Sequence, residues 1–264
     1  MTMDEKINGI AWSDGGLHTG PTVIFIHGFP LDRRMWEPQL EALSKTYRVI
    51  SYDVRGHGQS DTGDGQYSLE FFVDDLIAGM DHLKIESAVL CGLSMGGYIA
   101  LRAVERYAER FKGLVLCDTK SESDSDEVKV KRAAAVRKVK KEGVEPFADG
   151  FVKTVLTEQS LKTKPELVES VLSMIRGNSP LGISGALLAM AARTDTTAAL
   201  AKMILPVLIL VGEEDRLTPP FVAQAMANRM PNAALHVIPR AAHLSNLENP
   251  AVFNEYLLEF LQTL

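Results

Sequence analysis

Hydrophobic residues gather in six short runs that are apolar at consecutive rather than alternate positions: TVIFIHG (22–28), YRVISYD (47–53), SAVLCG (87–92), KGLVLCD (112–118), PVLILVG (206–212) and AALHVIP (233–239). Runs apolar on both faces suit parallel strands covered by helices on either side. Helix-like stretches separate them. In SLEFFVDDLIAGMDHL (68–83), apolar residues recur at three- and four-residue intervals behind Ser68, which is placed to cap the first turn. Pro219-Pro220 before FVAQAMANRM and Asn249-Pro250 before AVFNEYLLEFLQTL announce two later helices, with Asn249 as the cap and Pro250 at the first helical position. Strand alternating with helix predicts an α/β chain.

The alternation stops between Asp118 and Leu205, where no strand-like run occurs and the residues group into helical segments. That stretch is too long for a loop, so a helical insertion over 119–199 is expected within a core of 1–118 and 200–264. Its first helix has acidic residues in front (SESDSDE, 121–127), basic ones over 129–141 and Gly143 as the stop, which complements a helix dipole at both ends. A basic run on a helix reads as a solvated face before it reads as a docking surface. Gly177, Pro180, Gly182 and Gly185 are expected to break the insertion again before ALLAMAARTD, which makes it a candidate movable lid.

Composition narrows the partners. The 264 residues are 46% hydrophobic and 23% charged, with 28 Lys+Arg against 34 Asp+Glu and a net charge of −6. That balance argues against nucleic acid and against anionic membrane as global partners. No apolar run approaches the roughly 18 residues of a membrane helix, and the polar opening MTMDEKINGIAWSDGG lacks a signal-peptide apolar region, so a soluble, cytoplasmic protein is expected. Cys91 and Cys117 each fall inside an apolar run and read as buried, inert thiols rather than a disulfide or metal pair.

The chemistry-bearing segment is GLSMGG (92–97). Gly92, Ser94 and Gly96 spell G-x-S-x-G directly after SAVLC and before the helical YIALRAVERYAER. A tight strand-to-helix turn forces the serine into a strained conformation, and the flanking glycines remove side chains that would collide with strand and helix. Ser94 then projects as a nucleophile, with the Met95 amide at the helix start able to hold an oxyanion. An ordinary glycine-rich turn is the plain alternative. A serine hydroxyl needs a base, and the base needs an orienting acid. His243, in PRAAHLSNLENP after the last strand-like run, is the favoured base. His27 and His57 read as loop-shaping residues, and His18, His82 and His236 as surface or packing residues. Asp215, in VGEEDRLTPP after another strand, is the favoured acid, with neighbouring Glu213 and Glu214 and the strand-ending Asp118 as alternatives. The histidines form no HExxH or similar set, so no metal and no cofactor is expected. His27-Gly28-Phe29-Pro30 offers a second oxyanion donor in the Phe29 amide, whose ring would line the acyl pocket.

Taken together, HGFP, YDVRGHGQSD (52–61), GLSMGG, VGEEDRLTPP and AAHLSNLENP resemble the α/β-hydrolase superfamily over nearly the whole chain outside the insertion. The closest flavour looks like the small bacterial carboxylesterases and enol-lactonases. The resemblance implies a mostly parallel, eight-stranded sheet with helices on both faces, a helical lid between strands 6 and 7, and the chain order Ser94, Asp215, His243 for nucleophile, acid and base. Asp53, Arg55, Gly56, His57, Gly58 and Ser60 match a loop that is mainly structural in such proteins. Serine at the elbow, where epoxide hydrolases and haloalkane dehalogenases carry aspartate, and the lack of Tyr or Trp over 119–199 disfavour those chemistries.

The implied reaction is hydrolysis of a carboxylic ester through an acyl-enzyme. The partner is a small-molecule ester or lactone, and the sequence specifies no oligomeric state. The insertion supplies Phe147, Phe151, Leu156, Met174, Ile175, Leu187, Leu188 and Met190, so a largely apolar pocket is expected. Phe29, Phe147, Phe151, Met174, Leu187 and Met190 are the candidate substrate contacts, although helical spacing favours a place in the insertion's own core for most of its eight apolar residues. Arg176 and Arg193 are candidates for pairing with a substrate carboxylate, as a lactone acid would need; the plain alternative for Arg193 is a surface ion pair with Asp195. A ligand-binding protein that keeps the scaffold without catalysis is the alternative from another class.

Overall fold

The computed structural model describes residues 3–264. One eight-stranded sheet organises the chain in the order β1-β2-β4-β3-β5-β6-β7-β8. Its strands are β1 (Met3–Ile7), β2 (Ile10–Gly16), β3 (Thr22–Ile26), β4 (Arg48–Tyr52), β5 (Ala88–Leu93), β6 (Phe111–Cys117), β7 (Val207–Gly212) and β8 (Ala233–Ile238). From β4 to β8 every pairing is parallel, whereas β1 pairs β2 and β2 pairs β4 in antiparallel fashion. All of β5 and β7 is buried, which is why their sequences read as unbroken apolar runs. β8 is the exception: at the sheet edge it is only partly covered, and its pattern mixes exposed and buried positions.

The helices are α1 (Glu37–Leu43), α2 (Leu69–His82), α3 (Met95–Arg106), α4 (Asp126–Glu142), α5 (Glu145–Val155), α6 (Glu158–Thr163), α7 (Pro165–Arg176), α8 (Pro180–Ala191), α9 (Pro220–Ala227), α10 (Ser245–Glu248) and α11 (Pro250–Leu261). Ser68 caps α2 by accepting from the Phe71 amide at 3.2 Å. Ser125 caps α4, which stops at Gly143 with φ +86°. Pro250 starts α11 as expected, but Asn249 does not cap it; the side chain turns away and donates to the Pro239 carbonyl at 2.9 Å.

Helices α4–α8 all lie between β6 and β7. Gly182 and Gly185 do not break this insertion, as their sequence context suggested; both lie inside α8, which Pro180 starts. They are glycines because α8 runs against the loop after β4. A methyl on Gly182 would strike the Gly56 carbonyl oxygen, and one on Gly185 would lie 2.5 Å from the Gly65 carbonyl oxygen. Two further staples fix the insertion to the core. Asn178, between α7 and α8, bonds to Pro30 and Gly58, and the buried Glu248 carboxylate accepts from the Thr157 amide and hydroxyl.

Candidate functional site

The site is assembled at the ends of β3, β5, β6, β7 and β8. These strands are parallel, so the loops that follow them emerge along one edge of the sheet, where open α/β sheets place ligands. Ser94 joins β5 to α3 with φ 54° and ψ −111°, a strained conformation for a residue with a side chain. Such strain costs about 1–3 kcal/mol and persists only where the surroundings over-determine it. Here both backbone groups of Ser94 are held: the amide donates to the Cys117 carbonyl at 2.9 Å, and the carbonyl accepts from Thr119 Oγ1 at 2.8 Å and from the Tyr98 amide at 3.1 Å. The flanking glycines allow close approach. A methyl on Gly92 would meet the Gly96 carbonyl, and one on Gly96 would meet the Ile26 carbonyl.

His243 and Asp215, 28 residues apart in sequence, meet through a hydrogen bond of 2.8 Å between Nδ1 and Oδ2. The carboxylate is held on all sides. Oδ1 accepts from the Leu217 amide at 2.8 Å and the Thr218 amide at 3.1 Å, and Oδ2 accepts from Thr218 Oγ1 at 2.7 Å. Burial works against the charge on Asp215, yet the His243 ring and the Thr218 donors hold its carboxyl below the usual carboxylate range. Burial likewise disfavours the imidazolium, but the Asp215 charge and hydrogen bond, with Asp118 behind them, raise the His243 pKa above its ordinary value. Thr218 carried no signal in the sequence beyond its place in VGEEDRLTPP.

Asp118 does not take the acid's place. Its oxygens accept from the Gly212 amide at 2.8 Å and Ser245 Oγ at 2.5 Å, tying β6 to β7 and to the residues after His243. Burial, and then the Asp215 charge, push its carboxyl well above the usual range. Glu213 and Glu214 are exposed. His27 and His57 are buried and shape the loops. His27 donates to the Gly28 carbonyl at 3.0 Å and accepts from the Val54 amide at 2.9 Å. Desolvation lowers the His27 pKa to about 4 and the His57 pKa to about 3, so both rings are neutral near pH 7.

Ser94 and His243 line one cavity of about 460 Å³ together with Phe29, Phe147, Phe151, Leu187 and Met190. The Phe29 ring stands edge-on to Phe147 and Phe151, with centroids 6.1 and 6.0 Å away. No hydrogen bond joins Ser94 Oγ to His243 among the described residues. Met174, Leu156 and Ile175 lie outside the cavity wall, buried in the core of the insertion, while Leu188 is 49% exposed. A larger groove of about 810 Å³ lies at the start of β6, between Phe111 and Pro206; no serine or histidine lines it.

The cavity is less apolar than its sequence suggested. Lys120, Lys131, Arg132 and Arg216 share its wall with Asp124 and Tyr98. Asp124 is the hub of this cluster. It accepts from Arg132 and from Arg193 Nη1 at 2.6 Å, and lies 4.0 Å from Lys120 Nζ. Burial opposes its charge, but the two guanidiniums prevail and hold its carboxyl below the ordinary range. Arg193 is therefore not in a surface pair with Asp195; it is buried, and its guanidinium stacks over the Tyr98 ring at 4.2 Å. Arg176 pairs with Asp149 and Glu169 on the outside of the insertion and does not reach the cavity. The basic run on α4 is mostly solvated, but two of its residues, Lys131 and Arg132, line the cavity.

A family model described as alpha/beta hydrolase fold matches residues 21–250. Among curated proteins, a 3-oxoadipate enol-lactonase of Acinetobacter baylyi is 31% identical over 234 residues, covering 89% of this chain and 86% of the relative. Among solved structures, a thermophilic esterase from Thermogutta terrifontis, malate bound, superposes with a TM-score of 0.93 at 36% identity, over 100% of this chain and 98% of that one. An enol-lactonase from Burkholderia xenovorans LB400 gives 0.91 at 29% identity, over 98% and 100% of the two chains.

Proposed function

Because the chain belongs to the alpha/beta hydrolase family, we propose that it cleaves ester or lactone bonds of small molecules through an acyl-enzyme formed on Ser94. One observation carries this reading: Ser94, held at φ 54° between β5 and α3, opens onto the same cavity as a histidine whose Nδ1 is bound by a buried carboxylate. Since Nδ1–H donates to Asp215, the ring's other nitrogen is left free to accept a proton. His243 Nε2 takes the Ser94 proton as Oγ attacks the carbonyl carbon. The Met95 amide, in the first turn of α3 where no intrahelical acceptor exists, and the Phe29 amide stabilise the oxyanion. The imidazolium, stabilised by Asp215, then protonates the leaving oxygen. Water activated by the same ring releases the acid. Ser94 Oγ has to close on Nε2 for the first step, a contact that substrate binding tightens in this reading.

A second reading concerns the substrate's charge. Four cationic side chains line the cavity against one carboxylate, Asp124, which is already engaged by two arginines. This wall favours an ester or lactone that carries its own carboxylate, a property in keeping with the enol-lactonases among the relatives. The phenylalanine side of the cavity remains for the acyl chain.

Hydrolysis of a neutral nitrophenyl ester by the purified chain and by Ser94→Ala tests the primary reading. The variant is expected to fold normally and lose at least about a thousandfold in turnover. Near-normal turnover in folded Ser94→Ala contradicts it. Comparing that ester with an anionic one of equal acyl length tests the second reading, which expects a higher kcat/KM for the anion.

A further inference from the structure

We propose that Asn178 is a positioning residue for this hydrolysis: from the junction of α7 and α8 it fixes the turn that presents the Phe29 amide to the cavity. The inference rests on the acyl-transfer reading above.

Asn178 is 5% exposed and uses both ends of its amide. Nδ2 donates to the Pro30 carbonyl at 2.7 Å and to the Met174 carbonyl at 3.1 Å, and Oδ1 accepts from the Gly58 amide at 2.8 Å. Three segments distant in sequence therefore converge on one side chain: the turn after β3, the loop after β4 and the end of α7. The turn itself is held at its other points by the core. The Gly28 carbonyl accepts from His27 Nδ1 at 3.0 Å and from the Leu31 amide at 2.9 Å, and the Gly28 amide donates to Met35 Sδ at 3.3 Å. Pro30 has no amide hydrogen, so its carbonyl is the only backbone hydrogen-bonding group it has, and the insertion holds it. Phe29 lies between these two anchors.

An oxyanion donor acts through position. It must aim at where negative charge develops, and a misplacement of about 1 Å can cost on the order of a hundredfold. A side chain that secures the residue beside the donor should therefore change the chemical step more than substrate affinity. It also gives the insertion a part in the reaction beyond covering the cavity: its docking completes the oxyanion turn.

The test measures kcat, KM and the inhibition constant of a trifluoromethyl ketone analogue for the unmodified chain, Asn178→Ala and Asn178→Asp, with thermal melts alongside. Aspartate is informative because it puts a carboxylate oxygen where an NH₂ group served two carbonyls. The expected result is a kcat loss of about tenfold or more with KM within about twofold, and a parallel loss of affinity for the analogue, which reports transition-state binding. Unchanged kcat in a folded variant, a loss confined to KM, or a kcat loss with unchanged analogue affinity would each overturn the proposal. Asn178→Ser, which leaves a hydroxyl at the site, carries the same expectation if alanine fails to accumulate; failure of both to fold would make Asn178 a structural residue only. If the unmodified chain shows no Ser94-dependent hydrolysis, the parent reading falls and this one with it. Hydrolysis with indifferent Asn178 variants sinks this one alone.

Discussion

Replacing Asp215 by asparagine keeps the shape of the side chain and changes one thing the reading depends on. Oδ1 accepts from two backbone amides, of Leu217 and Thr218, which cannot turn away, so the asparagine oxygen must stay there. Its NH₂ group then takes the place of Oδ2, facing Thr218 Oγ1 at 2.7 Å and His243 Nδ1 at 2.8 Å. The threonine hydroxyl can rotate to accept. The imidazole can comply only by accepting at Nδ1, which moves its proton to Nε2 and leaves nothing to receive the proton of Ser94. The same change in a serine protease costs about 10⁴ in kcat, equivalent to about 5 kcal/mol of barrier. The pH profile supplies a second readout. The neutral ring is the active form, so kcat/KM rises as pH climbs through the His243 pKa, which in the native chain lies above its ordinary value of 6.5. Removing the Asp215 charge leaves burial, the largest influence on the ring, opposed only by Asp118, so the inflection of the residual activity moves to lower pH than in the native chain. Steady-state ester hydrolysis from pH 5 to 9 measures both. A variant within tenfold of native kcat, or one whose inflection stays in place, refutes the assigned role of Asp215.

Two further perturbations address the cavity and the insertion. Arg132→Gln removes one cation from the wall and should lower the ratio of kcat/KM for an anionic ester over its neutral analogue by about tenfold, or 1.4 kcal/mol; an unchanged ratio would mean that Arg132 serves Asp124 and not the substrate. Gly182→Ala should destabilise the chain by about 1–3 kcal/mol, because the added methyl meets the Gly56 carbonyl oxygen, a backbone atom that cannot swing aside. At about 2–4 °C per kcal/mol the drop is visible in a thermal melt; a rise, the ordinary result of adding alanine inside a helix, contradicts the close docking of α8.

The sequence revealed the parallel strands because burial on both faces leaves unbroken apolar runs, and it revealed the serine turn because only glycine tolerates such close backbone approach at Gly92 and Gly96. β1 and β2 were harder to read. β1 is an edge strand exposed at four of its five positions. β2 buries Asp14, whose carboxylate is neutralised by Arg48 at 3.0 and 2.5 Å, a pairing no local pattern discloses. The expected set Ser94, Asp215 and His243 converges on one edge of the sheet, and Phe29 and the flanking phenylalanines meet as rings across the cavity. The polar frame stayed hidden for a different reason. Asn178 reaches Pro30 across 148 positions, Glu248 reaches Thr157 across 91, and Arg193 reaches Asp124 across 69. Periodicity reports which face of an element is buried, not which distant carbonyl or carboxylate a side chain finds there. Arg193 illustrates the consequence: beside Asp195 in sequence it reads as a surface pair, yet folding carries it inward to Asp124 and Tyr98.

In the proposed mechanism, folding makes one hydroxyl among many serines nucleophilic. Incubation of the native chain with a fluorophosphonate, followed by intact mass and peptide mapping, measures this directly. One adduct per chain is expected, located on Ser94, and none on Ser94→Ala under the same conditions. An unlabelled, folded native chain, or an adduct on another residue, would contradict it and favour a scaffold that binds its ligand without reacting.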